Sequence, residues 1–370
     1  MATKAIKGVA YAKALKALSA VFTFKPLLYG YSNARVRAMK GELLKKPQVL
    51  DLLGAKTQNG IIEMLSHTPY KENILSLSLR FKNEELVELA LGQNFAYNSQ
   101  KLLRIAPKPS RRALLAFMER YDILNIKTIL LSKRLGKKGE EMAHYTMGAG
   151  SLSFGDLKAM WELPDALSVL SYLRYSEIGQ KIFAMHSFAK AKESVSGGRD
   201  FEQLFGMLDS YYYASATAAI IGTGKDSQLL RSIILSEADA KNALTVLRCK
   251  AAGMDTEGAL LHLVTFGTLQ KGFFESIANE KDMKGAIAKV RSKFGIEESK
   301  ALSLSIIEAE LESRLVATSL RALSFSMMSI GAIVGYLFLK EEEMSNIRKI
   351  SRGKALGLSD AQISQMLVFA

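Results

Sequence analysis

Cysteine occurs once, at position 249, so no internal disulfide can form, and the chain suits a reducing compartment. Histidine occurs four times, at 67, 144, 186 and 262, each alone and without ligand spacing to another, which argues against a metalloenzyme. Six prolines in 370 residues leave long stretches free to be helical, because proline inside a helix costs about 3 kcal/mol. Period-two strands bounded by turn residues are missing, as are HExxH and GxSxG. The nearest approach to a nucleotide loop is Gly222-Thr223-Gly224-Lys225-Asp226. A phosphate-cradling loop would need glycine at 219 and Ser or Thr at 226, where the chain has Ala219 and Asp226, so a loop between helices is the better reading. Trp161 and the run Tyr211-Tyr212-Tyr213 lie in helical context and read as packing residues. These absences point to a protein that is not an enzyme, with no catalytic residues, cofactor, metal or small-molecule substrate.

Hydrophobic residues make up 48% of the chain and charged residues 23%, a composition that forms a core. The length allows two to three domains, or one large repetitive one. The net charge of +14 is unevenly spread: residues 1–50 carry +9 and 101–140 carry +8, while 51–100 sum to −2 and 141–370 to −1. Two local positive fields suggest docking of something anionic, such as nucleic acid, a membrane surface or an acidic protein; solvated helix faces are the plainer alternative. Met1 to Phe24 has lysines at 4, 7, 13 and 16 spread through its apolar stretch, which is not the layout of a signal peptide. Tyr11, Leu15, Leu18 and Phe22 fall on one helical face. The segment reads as a basic amphipathic helix, either an ordinary terminal helix packing on its own domain or one that lies on a membrane surface or partner. Ala322 to Leu339 is eighteen residues without a charge, at the threshold for a membrane span; with three serines and two glycines (Gly331 and Gly335 forming GxxxG), it reads better as a helix buried in a helical body.

A repeat organises the chain. Asn33 opens NARVRAMKG, Asn125 opens NIKTILLSK, Asn242 opens NALTVLRCK and Asn346 opens NIRKISRGK. Counting from each asparagine, position +2 is Arg35, Lys127, Leu244 and Arg348. Position +8 is Lys133, Lys250 and Lys354 in the last three copies, and +6 is Arg248 and Arg352 in the last two. An acidic residue stands three or four places earlier in those three: Asp122, Asp239, and Glu342 or Glu343. Acid in the first turn and base in the last complement a helix dipole, so each copy reads as a well-capped helix. Breaks at Lys45-Lys46-Pro47, Pro107-Lys108-Pro109, Gly148-Ala149-Gly150 and Ser196-Gly197-Gly198 separate helical stretches. The expectation is an all-α chain: a basic extension (1–27) and three similar helical domains at 28–140, 141–255 and 256–370.

At these residues the sequence resembles the C subunit of the A/V-type rotary ATP synthases, the counterpart of the d subunit in the eukaryotic vacuolar ATPase. YSNARVRAMKGELL (Tyr31 to Leu44), YDILNIKTILLSK (Tyr121 to Lys133), GSLSFGDLKAMWELPDALSVLSYLRY (Gly150 to Tyr175), LDSYYYAS (Leu208 to Ser215) and EEEMSNIRKISRGKALGL (Glu341 to Leu358) are similar to segments of that family in the same order. Leu244 at +2 and the long basic start depart from it. The resemblance implies three helical domains in a funnel about a pseudo-threefold axis. It further implies a non-catalytic rotor component on the cytoplasmic face of the membrane, peripheral, seated on the proteolipid ring, with the central-stalk shaft in its open side. On that reading Arg35, Arg37, Asn125, Lys127, Lys133, Asn346, Arg348, Arg352 and Lys354 are candidate contacts with shaft or ring, the N-terminal helix is a possible membrane contact, and nucleic acid is not a partner. A basic helical-repeat protein that binds nucleic acid through Arg35, Arg37, Lys101, Arg104, Arg111 and Arg112, or a protein anchored by one span at 322–339, are the alternatives.

Overall fold

A computed structural model describes residues 25–137, 139, 145–196, 201–221, 225–264, 266–297, 303–325 and 329–369. Met1 to Phe24 and Gly222 to Gly224 therefore lie outside the described residues. Helix is the only regular structure among the described residues, so the all-α expectation holds.

Five helices open the chain: α1 Lys25–Gly41, α2 Lys46–Gly54, α3 Gln58–Leu65, α4 Lys71–Leu77 and α5 Asn83–Ile105. The long α6, Lys108–Arg134, leads into α7 Phe154–Glu162, α8 Ala166–Tyr175, α9 Glu177–Met185, α10 Phe188–Ser196 and α11 Phe201–Ala219. A second long helix, α12 Lys225–Ala251, leads into α13 Thr256–Leu261, α14 Lys271–Ala278, α15 Met283–Phe294 and α16 Leu304–Phe325. The third, α17 Ile330–Ala355, is followed by α18 Asp360–Met366. The starts are written in the sequence: Thr57, Asp165, Ser176, Asp255, Asp282 and Ser329 each accept a backbone N–H of the helix they precede. Ser153 and Ser359 complete capping boxes with Asp156 and Gln362.

Asn125, Asn242 and Asn346 lie on α6, α12 and α17, which run 27, 27 and 26 residues. Each long helix packs on a returning helix: α6 on α11, α12 on α16, and α17 on α5 as well as α16. The chain's first helices therefore surround its last long one, α17 touching α1, α2, α3 and α5. Buried apolar residues form two clusters among the described residues. One runs from Val36 through Leu91, Ile126 and Tyr213 to Ile347 and Ile363; the other unites Ala243, Leu247, Phe274, Ile287, Val290 and Leu311 under α12.

The uncharged run at 322–339 is not one continuous helix. α16 is described as far as Phe325, and Ser329 is extended (φ −154°, ψ 174°) and caps α17, its hydroxyl accepting Gly331 N at 3.0 Å. Every residue from Ile330 to Phe338 is buried, because α17 has neighbours on all sides, which explains an apolar stretch that needs no bilayer. Among the described residues no helix is long and apolar enough to cross a membrane.

Candidate functional site

The three long helices are built alike from their asparagines outward. The Asn125 amide donates to Met147 O at 2.7 Å and its oxygen accepts Met147 N at 3.0 Å. Asn242 grips Val264 in the same way (2.9 and 2.8 Å), and Asn346 grips Val368 (2.6 and 2.9 Å). In each copy the partner lies 22 residues downstream. All three asparagines are buried, and each pair of bonds satisfies main-chain groups of the downstream loop, the Met147 carbonyl also taking the Ala149 amide at 2.8 Å. Asn33 does something different: its amide donates to Tyr29 O, one turn back in its own helix.

The acid three places earlier fixes the same loop. Asp122 accepts Ser151 N, Ser151 Oγ and Leu152 N; Asp239 accepts Thr268 N, Thr268 Oγ1 and Leu269 N. Glycine precedes each hydroxyl residue because a Cβ at Gly150 or Gly267 would come within 2.3 or 2.2 Å of that carboxylate. Burial lifts the Asp122 carboxyl to about 6 although three donors favour its charge. In the third copy Glu343, one methylene longer, turns to the start of the chain. It accepts Leu44 N at 2.5 Å, Tyr70 OH at 2.6 Å and the buried Lys340 ammonium at 2.6 Å. Gln58 Nε2 also donates to Ser351 O at 2.6 Å. The opening segment thus supplies what the third copy binds.

The helix ends match too. Gly136, Gly253 and Gly357, each eleven residues after its asparagine, have φ of 69°, 74° and 72°. The amides after them, of Lys137, Met254 and Leu358, donate back to Ser132, Cys249 and Gly353 carbonyls. This is a Schellman ending, and only glycine enters the left-handed region without strain.

Five residues before the asparagines the copies meet each other. Arg120, Glu237 and Glu341 occupy that position on α6, α12 and α17. Arg120 donates to Glu341 at 3.1 and 2.9 Å and to Glu237 at 3.3 Å. The guanidinium also lies 5.2 to 5.3 Å from the ring centres of Phe117, Tyr121 and Phe338, and Tyr121 OH donates to Glu341. Burial disfavours the Arg120 charge, but the two carboxylates outweigh it and hold its proton more tightly than usual. Burial raises Glu237, with Arg120 opposing. One cation thus ties together equivalent points on three helices.

Two clefts open at the surface. One is lined by Ser151, Asp156, Tyr172, Tyr175, Ser176 and Glu177, the other by Lys82, Glu84, Glu85, Glu88, Tyr145 and Arg352.

The ATP synthase (C/AC39) subunit family matches residues 32–366. The chain belongs to that family. It is 28% identical to the C subunit of the A-type ATP synthase of Methanosarcina barkeri, across 92% of both chains. Identity is 29% to the namesake of Methanosarcina acetivorans, with the same coverage, and 23% to that of Methanocaldococcus jannaschii, across 92% of this chain and 86% of that one.

In this family member the nine residues expected as contacts differ in setting. Asn125 and Asn346 form the clamps. Lys127 pairs with Asp209 of α11 at 2.5 Å; burial lowers it to about 8, Asp209 raising it and Lys241 lowering it further. Arg348 and Arg352 both reach Glu88 of α5 at 2.8 Å, Lys354 reaches Asp360 at 2.8 Å, and Lys133 donates to Trp161 O. Lys250 repeats the Lys133 contact on Ala278 O, 28 residues downstream in both cases. Arg248 at +6 pairs with Glu308 of α16 at 2.7 Å, standing in for the base that Leu244 removes at +2. The recurring bases therefore meet acids on returning helices (Asp209, Glu308 and Glu88), the acid that opens α18 (Asp360), and carbonyls at helix ends. Arg35 and Arg37 stand exposed on α1.

The glycines at +11 and the charged residues at −5 escape a reading of the sequence by motif. The glycines are visible as a fixed spacing; the −5 residues differ in sign and share nothing but register.

Proposed function

We propose that the chain is a non-catalytic rotor component of an A/V-type ATP synthase, coupling the central stalk to the membrane proteolipid ring. Its three helical units would form a funnel at the cytoplasmic face, taking the shaft at one end and resting on the ring at the other. The observation that carries this reading beyond family membership is the Arg120–Glu237–Glu341 junction. A part that transmits torque must not let its units turn against one another, and an ion cluster joined to three long helices resists that motion. The clamps at Asn125, Asn242 and Asn346 stiffen each helix against its own loop. Among the nine expected contacts, Arg35 and Arg37 are the exposed ones.

The test is to tag the chain in its native cell, isolate it from membranes without detergent extraction of lipids, and identify what accompanies it. Shaft and ring proteins should co-purify, and carbonate should release the chain from the membrane. Recovery without either of them would refute the role.

A further inference from the structure

The two basic stretches of the sequence come together in the fold. Ser32 Oγ of α1 donates to Ile105 O at 2.6 Å, and Tyr29 OH and Ser110 Oγ share a hydrogen bond. Helix α1 is thereby fixed against the turn that joins α5 to α6. Its outer face carries Tyr31 and Arg35, spaced i and i+4, both exposed. Along α5, Tyr97, Lys101 and Arg104 follow at i, i+4 and i+7, with the Lys101 ammonium 6.0 Å from the Tyr97 ring centre. Lys108 and Arg112 continue the stripe onto α6, exposed. No acidic residue occurs in 25–41 or in 89–118, so nothing in either segment neutralises the bases. Arg111 turns its guanidinium to the Ala106 and Arg104 carbonyls, where it remains a charge at the same turn.

We propose that these two adjoining exposed stretches, Tyr31 and Arg35 on α1 and Tyr97, Arg104 and Arg112 around the α5–α6 turn, dock on the anionic headgroups of a lipid bilayer. Among the described residues of 28–40 and 97–112 the exposed large apolar side chains are Tyr31 and Tyr97, whereas a stable protein interface normally has an apolar centre to bury. Nucleic acid would want aromatic rings interleaved with the bases for stacking, whereas here the tyrosines stand at the ends. Tyrosines bordering a basic face suit the headgroup region, where the ring is half solvated. The sequence immediately before α1 points the same way. Residues 1–24 hold Lys4, Lys7, Lys13 and Lys16, no acid, and the apolar set Tyr11, Leu15, Leu18 and Phe22, so the chain enters α1 from a segment with the composition of an interfacial anchor. The inference does not depend on the coupling role and could hold where that role failed.

The experiment uses the full purified chain and sedimentation with vesicles, phosphatidylglycerol mixed into phosphatidylcholine against phosphatidylcholine alone. Binding should require the anionic lipid and weaken with added salt. Each base near such a surface strengthens partitioning about fivefold, so Arg35→Glu with Arg104→Glu and Arg112→Glu should weaken it by roughly a hundredfold or more. The three side chains are exposed, and the triple variant should keep the wild-type circular-dichroism spectrum and melting temperature. Unchanged vesicle binding by the folded triple variant would overturn the proposal, as would equal binding to neutral vesicles. Tighter binding to duplex DNA or to an acidic peptide than to anionic vesicles at the same salt would overturn it too.

Discussion

Arg120 and Glu341 meet through two hydrogen bonds of 3.1 and 2.9 Å although 221 residues separate them, and each stands five places before the asparagine of its own repeat. Glu237, at the same place in the remaining copy, completes the junction at 3.3 Å. A helix motif used three times thus carries different charges at one register, and the differences are what join the copies.

Arg120→Met should destabilise strongly, because it leaves two partly buried carboxylates facing each other without a cation. Removing one partner of such a pair costs about 3–5 kcal/mol. Urea denaturation of the variant checks the size, and Glu237→Gln with Glu341→Gln in the Arg120→Met background should recover much of the loss. A midpoint unchanged by Arg120→Met would show that the junction contributes nothing to stability.

The asparagine clamps should behave as a set. Asn125→Ala leaves the buried Met147 N–H unpaired, its carbonyl keeping the Ala149 amide, while Asn346→Ala leaves both the N–H and the C=O of Val368 unpaired, at about 1–3 kcal/mol for each group. Asn33→Ala removes a single bond inside α1 and should cost less than either. Denaturation midpoints of the three variants give the order directly; equal losses at all three would remove the distinction drawn between Asn33 and the clamps.

Gly357→Ala should lower stability by about 1–2 kcal/mol through backbone strain alone, since φ is 72° and no atom lies within 4 Å of the added carbon. Gly54→Ala, also in open space but at an ordinary helical position, should be neutral or slightly stabilising. Comparing the two melting temperatures separates strain from crowding.

Asp122 keeps its proton to about pH 6 when folded, above the usual value near 4. The folded chain then binds more protons than the unfolded one between those limits. The stability this group contributes is full below about pH 4 and is lost as pH rises through about 6. Wild type should lose stability over that window relative to Asp122→Asn, measured by denaturation across the pH range. A parallel pair of curves would place the titration elsewhere.

The helical class and three of the four asparagine motifs are legible as residues at fixed spacing, but the acid at −3 is not the first-turn residue expected. Asp122, Asp239 and Glu343 lie in the middle of α6, α12 and α17, where each accepts donors from elsewhere in the chain instead of capping a helix start. Asn33 carries the same local pattern, yet its amide is spent on Tyr29, because a nine-residue string cannot say what lies 22 residues on. Recurring bases at +2, +6 and +8 read, by resemblance, as contacts for a partner. Glu88, Asp209 and Glu308, which receive several of them, sit on helices 40 or more residues away in the chain, where no local pattern ties them to the motif. That pairing also changes what a charge reversal would report: Arg348→Glu with Arg352→Glu sets two acids against Glu88 and tests the fold before it tests an interface. Closure of the third copy by Leu44 and Tyr70 is likewise out of reach, since it joins the two ends of the chain.

The most direct test of the coupling role is to assemble the complex with and without this chain and follow ATP hydrolysis and ion pumping together. Without it, the catalytic head should continue to hydrolyse ATP while pumping stops, and adding the purified chain back should restore pumping. A complex that pumps at the full rate in its absence would contradict the account.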